Sequence, residues 1–111
     1  MARVVRYNKY GAKKVTIDNI RFDSKLEAKR YGELKLMHAA GAITHLQMQP
    51  VFFIAIKGNN VCRVILDFKY LQHTVTWVYE DCKGYDTPIS RLKRKLVEAQ
   101  YGIKVSVVKG K

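Results

Sequence analysis

Two hydrophobic periods alternate along this chain, and the places where one gives way to the other mark its elements. "VTIDNIRF" alternates on either side of Asp18-Asn19, the pattern of a small hairpin. "DSKLEAKRYGELKLMHAAG" is built from helix formers, with Ser24 placed to cap it and Gly41 to stop it. Three strand-like runs follow, "THLQMQPVFFIAIKG", "NVCRVILDFKYL" and "TVTWVYEDCKG", separated by Gly58-Asn59-Asn60 and by Gln72-His73. Pro50 predicts an edge or a bulge in the first of them. "DTPISRLKRKLVEAQYG" offers Thr87 as N-cap, Pro88 at the first helical position and Gly102 just past the end. Its stripe Ile89, Leu92, Leu96 and Ala99 is expected to face the core. "IKVSVV" reads as a last strand, returning parallel through the helical crossover. The order after the hairpin is αβββαβ, an α/β fold with a mixed sheet flanked by helices.

Within this pattern the acidic residues of the strands are out of place, because a charge on a half-buried strand is costly unless it is paired or bound to a metal. With a period of two, Ile65, Asp67 and Lys69 share one side of their strand, and Trp77, Tyr79, Asp81 and Lys83 share one side of the next. Glu80 points to the other face, where an ion-pair partner is its expected role. A hairpin of the two strands brings Asp67 towards Asp81 and Lys83. Two readings remain open: salt bridges to Lys83 or Lys69, or a divalent cation with oxygen ligands, Mg²⁺ first among them, relieving the repulsion of two carboxylates. A third carboxylate joins them, since Glu27 falls on the helical arc of Leu26, Tyr31, Leu34 and Met37 and so points inward. Glu27 also completes a capping box with Ser24, and one carboxylate cannot fully serve as both cap and ligand. Gln47 and Gln49 share a face of the first strand, either reaching the same site through an amide or lining a solvated edge.

Charge adds a partner to this picture. With 111 residues, 48% of them hydrophobic, the chain fits one domain with a single modest core, and its net charge of +12 points to a polyanion such as nucleic acid. Residues 1–14 read as a basic arm or a solvated tail ahead of a domain over 15–111. Arg91, Lys93, Arg94 and Lys95 form a basic run on the second helix, for phosphate contacts or as a solvated face. Arg30 lies near Glu27 on the wheel, as a salt-bridge partner or a phosphate clamp. No long apolar run and no leader-like segment is seen, which makes an intracellular protein the expectation. Cys62 and Cys82 lack the companions of a zinc site or a disulfide framework and read as core thiols, and His38, His45 and His73 have no metal-ligand spacing. Two readings fit: a nucleic-acid-binding protein with a divalent cation among its carboxylates, or a noncatalytic basic nucleic-acid-binding protein whose Asp and Lys form a salt-bridged cluster.

Glu27 on the first helix, Asp67 on the second strand and Asp81-Cys82-Lys83 on the third, set in αβββαβ, resemble the motif series of the PD-(D/E)XK nuclease superfamily, which includes phage endonuclease I and archaeal Holliday junction resolvases. The likeness extends from Tyr10 to Val108 and is nearest to a small, mostly phage-encoded branch, through "FDSKLEAKRYGELKLM", "LQMQPVF", "DFKY", "EDCKG" and "TPISRLKRKLVEAQYGI". Leu66 departs from the motif, which places Pro before Asp67. The resemblance implies a Mg²⁺-dependent DNA endonuclease, with Mn²⁺ able to substitute. Asp67, Asp81 and the Cys82 backbone carbonyl would be metal ligands, and Glu27 would bind the same ion directly or through water, or a second ion. Lys83 would position the attacking water and stabilise charge in the transition state. The expected products carry 5′-phosphate and 3′-hydroxyl ends. A homodimer acting on branched DNA in the cytoplasm, a host's if the chain is phage-encoded, completes the expectation.

Overall fold

The protein is described by a computed structural model that places residues 5–7 and 13–110, with side chains from Lys14 onward. A three-stranded antiparallel sheet comes first, formed by β1 (Val5–Tyr7), β2 (Lys13–Ile17) and β3 (Ile20–Phe22). The expected arm over residues 1–14 thus lies mostly outside the described residues, and its described part pairs, Val5 with Val15 and Tyr7 with Lys13. Asp18 and Asn19 take φ of 54° and 63°, the left-handed pair that a two-residue hairpin turn requires. Asp18 Oδ2 then accepts hydrogen bonds from Tyr31 Oη (2.7 Å) and Lys35 Nζ (3.0 Å), which fasten the hairpin to helix α1 (Lys25–Ala39).

Ser24 caps α1 as its sequence position predicts, its Oγ accepting from the Glu27 N–H at 3.1 Å. The helix turns Glu27, Ala28, Tyr31 and Leu34 inward. Two of the three expected strands are divided. The first splits at Gln49-Pro50 into β4 (Ile43–Met48) and β5 (Val51–Ile56), and the second at Leu66-Asp67 into β6 (Asn59–Ile65) and β7 (Phe68–Gln72). Both breaks fall at one level. Gln49 N–H donates to the Asp67 carbonyl (2.8 Å) and Leu66 N–H to the Pro50 carbonyl (3.1 Å), so the antiparallel ladder runs on through a bend. Beyond the bend β5 and β6 leave the sheet as a separate two-stranded hairpin.

The main sheet, in the order β4-β7-β8-β9, is mixed: β8 (Thr76–Lys83) pairs antiparallel with β7 and parallel with β9 (Val105–Lys109), which it reaches through α2 (Pro88–Tyr101). Alternation gives the sheet two buried faces. On one, Phe68, Tyr70 and Cys82 pack with Phe22, Tyr31, Leu34 and Ile43 beneath α1. On the other, Tyr79 and Val105 pack with Ile54, Val64, Leu66 and Val97 between the β5–β6 hairpin and α2. The single core expected from chain length is therefore two clusters, divided by the sheet.

Thr87, Pro88 and Gly102 (φ 67°) bound α2 as expected, but its inward stripe is different. Arg94 and Val97 are buried, while Ile89 and Leu92 are 59% and 50% exposed. The helix is rolled so that Arg94 can reach two carboxylates, described below. Among the described residues no helix is long and apolar enough to cross a membrane.

Candidate functional site

The carboxylates singled out by the sequence come together where three pieces of chain meet. Glu27 stands in the first turn of α1, Asp67 at the bend between β6 and β7, and Asp81 and Lys83 at the C-terminal end of β8. With Gln49, Arg21 and Asp23 they line one cavity of about 420 Å³. The Asp67 carboxyl lies between those of Glu27 and Asp81, within reach of either. The Cys82 N–H donates to Asp67 Oδ2 at 2.6 Å, so the β8 backbone itself orients the middle carboxyl.

Crowding and burial decide the charge here. Burial, then the charge of Glu27, pushes the Asp67 carboxyl up to about 9, against the lowering effect of the Cys82 N–H. Burial likewise raises Glu27 above the usual carboxylate range, with its bond to Asp67 opposing. Near neutral pH Asp67 therefore holds its proton, which either Glu27 or Asp81 can accept, one at a time. A cation can take that proton's place. Clustered carboxylates are hard oxygen donors that suit Mg²⁺ or Mn²⁺ better than ions preferring thiolate, and Glu27, Asp67 and Asp81 are the residues that could hold one. Among the described residues no group of three His, Cys, Asp or Glu stands in a geometry that could hold a metal ion as the side chains lie.

Asp81 is drawn towards cations: Arg94 Nη1 lies 3.4 Å and Lys83 Nζ 3.6 Å from its Oδ2. Arg94 is gripped more closely by Asp86, through bonds of 2.9 and 2.5 Å. This corrects the expectation for Arg94 as a phosphate contact, because it is 9% exposed and already committed to two carboxylates. Arg91, Lys93 and Lys95 are exposed, and Arg91 also donates to the Asp86 carbonyl at 2.9 Å.

Arg30 is occupied as well. Its Nε and Nη2 form a fork on Glu80 at 2.8 and 2.7 Å, and Nη1 reaches Glu33 at 3.0 Å. The salt-bridge reading of Arg30 holds, with Glu80 and Glu33 as partners rather than Glu27, and no free clamp remains. Glu80 faces away from Asp81, as alternation predicts, and takes a further hydrogen bond from Tyr70 Oη at 2.5 Å. Burial and that bond push the Tyr70 phenol up to about 12. Tyr70→Phe should cost about 1.5 kcal/mol, the scale of a hydrogen bond to a charged group, as read from chemical denaturation. No change in stability would mean that Arg30 alone satisfies Glu80.

Gln49 lines the cavity, with its amide Nε2 anchored on the Arg21 carbonyl at 3.0 Å, whereas Gln47 is exposed opposite Lys69 and does not line it. Gln49 has φ of 57°, and this twist at the bend separates the two glutamines that simple alternation placed together. The thiol of Cys82 is buried in the α1-side cluster, where burial and the surrounding carboxylates push it well above the usual thiol range. Cys62 is a partly buried thiol packed against the other cluster. Sequence reasoning missed Arg21, Asp23, Tyr70 and Asp86. Asp86 had a signal, since an acidic residue just before a Thr-Pro helix start is well placed to meet an arginine two turns along.

No curated protein and no solved structure matches the chain. A family model described as "Protein of unknown function (DUF1064)" matches residues 7–110, nearly the whole chain, and the protein belongs to that family.

Proposed function

We propose that this protein is a divalent-metal-dependent DNA endonuclease of the PD-(D/E)XK type, acting in the cytoplasm as a homodimer on branched DNA. The observation that carries the reading is the cavity itself: Glu27, Asp67 and Asp81, delivered by three separate elements, converge beside Lys83. Repelling carboxyls packed this closely gain little for folding, which favours a ligand that uses them. The ion they would hold, with the Cys82 carbonyl completing the set, supplies Lewis-acid polarisation of a phosphate and a more acidic bound water. Lys83, 27% exposed at the cavity edge, orients the attacking water and offsets negative charge developing on the phosphate oxygens. Gln49, fixed through Arg21, shapes the opposite wall. Exposed apolar side chains at Val51, Phe53 and Ile65 on the hairpin, and at Ile89 and Leu92 on α2, are consistent with two copies pairing.

A noncatalytic nucleic-acid-binding protein is the second reading, favoured by the contacts of Asp81 with Lys83 and Arg94. A salt-bridged cluster accounts for Asp81 but not for Glu27 and Asp67, which lie against each other. The deciding experiment presents linear, nicked, flapped and four-way-junction DNA to the protein with Mg²⁺ and with chelator. Mg²⁺-dependent strand cleavage, strongest on the branched forms, is the expected result. Binding without cleavage under Mg²⁺ and Mn²⁺ would leave the noncatalytic reading.

A further inference from the structure

Behind Asp81 and Lys83 lies a second cavity of about 260 Å³, which shares those two residues and Ile65 with the first. Its character is the reverse of its neighbour's. Arg63 from β6, Lys83 from β8, and Lys93 and Arg94 from α2 line it, against the single carboxylate of Asp81. When Arg94 is set against Asp86 and Lys83 against Asp81, two positive charges remain, because among the described residues Arg63 and Lys93 take part in no ion pair. Ser90 lies in the same wall. Its Oγ accepts from the Thr87 hydroxyl at 3.0 Å, which leaves its own proton to donate into the cavity. The volume is several times the roughly 30 Å³ that one water occupies in the liquid, so a hydrated phosphate group fits. Like charges gathered around an empty space repel, and an anion seated among them removes that repulsion.

We propose that this second cavity is a phosphate subsite, in which Arg63, Lys93 and Ser90 hold a phosphate group of the same strand next to the one acted on in the carboxylate cavity. The inference rests on the nuclease reading for what lies next door, but not for phosphate binding itself. Asp81 and Lys83 form the partition. A phosphate held on the basic side therefore fixes the strand so that its neighbour enters the acidic side, with Lys83 between two anionic groups. Arg63 comes from the bent-away hairpin and Lys93 from α2, so the subsite exists only because both pack on the same face of the sheet.

The test begins without metal or DNA. Inorganic phosphate added to the metal-free protein should shift the amide resonances of Ser90 and Lys93, and Arg63→Ala/Lys93→Ala should abolish the Ser90 shift while keeping the melting temperature. With chelator present, the same double variant should bind DNA about tenfold more weakly, with its salt slope reduced by about two. Lys29→Ala/Lys104→Ala removes the same charge from exposed positions elsewhere and should change both far less. Weakened binding to closed circular DNA identifies an internal phosphodiester as the occupant, whereas weakening confined to an end-phosphorylated duplex identifies a terminal phosphate. An absent phosphate shift, or an equal loss in the control pair, overturns the subsite even if Mg²⁺-dependent cleavage is observed. A phosphate shift in a protein that never cuts DNA upholds the subsite and overturns the nuclease reading.

Discussion

Raising the pH of a metal-free solution from about 4 to about 9 should steadily lower the melting temperature of this protein, and Asp67→Asn should remove most of that loss. The unfolded carboxyl titrates near 3.8 and the folded one near 9, so across this interval the folded chain binds more protons than the unfolded chain. Stability then falls with rising pH. The contribution is fully present below the unfolded value and is lost as pH rises through the folded one. Glu27, also raised, adds in the same sense. Asp18 and Asp86 are lowered by their hydrogen-bond partners and titrate below this window, and Tyr70 titrates above it. Asparagine keeps an acceptor for the Cys82 N–H yet carries no charge. Asp67→Asn should therefore stabilise the metal-free protein at pH 8 by on the order of 2 kcal/mol, several degrees in melting temperature for a domain of this size. Millimolar Mg²⁺ should act on the wild type in the same direction at pH 8, releasing protons as it binds, and should not stabilise Asp67→Asn/Asp81→Asn. A wild-type melting temperature that is flat from pH 5 to 8 would show that the carboxyls are solvated and ionised.

Local signals carried most of the fold. Ser24, Thr87-Pro88, Gly102 and the Asp18-Asn19 turn act through backbone bonds within a few residues, and each appears where the sequence places it. The parallel return of β9 follows from a single helical crossover. What alternation alone could not reveal is the bend. The runs through Gln49-Pro50 and Leu66-Asp67 stay largely apolar on both sides, and the β5–β6 hairpin they lead into packs Ile54, Val64 and Leu66 with Val97 of α2, a contact far apart in sequence. Pro50 marked the weak point without fixing its direction.

The site shows the same division. Asp81, Lys83 and the opposite-facing Glu80 follow from a period of two on β8. Asp67 sits at the bend, where parity lapses, and it meets Glu27 because the backbone turns there. Arg94 was misread for a related reason: in a basic run on an amphipathic helix, an inward arginine resembles its exposed neighbours until Asp81 and Asp86 are known to lie opposite. Charge composition points to a polyanion but cannot distinguish the cations that are already paired from those left to bind one.

Glu27 is where cap and ligand compete, and the two roles separate by substitution. The N–H of Glu27 is satisfied by Ser24 Oγ, so half of the capping box is formed whatever the Glu27 side chain does. The carboxyl itself is turned to Asp67 and to the Asp23 backbone. Glu27→Gln retains hydrogen-bonding ability at both ends and removes a buried, crowded acid, so the metal-free melting temperature should be unchanged or slightly higher. Cleavage should fall by roughly a hundredfold or more, about 3 kcal/mol of transition-state stabilisation, because a neutral amide is a poor ligand for a hard cation. Ser24→Ala should show the opposite pattern, losing about 1 kcal/mol of stability through the unsatisfied first-turn N–H while keeping most of the activity. Melting curves without metal and single-turnover cleavage rates with saturating Mg²⁺ measure the two effects on the same preparations. A Glu27→Gln protein that cuts at the wild-type rate would remove this carboxylate from the metal site and leave the chemistry to Asp67, Asp81 and Lys83.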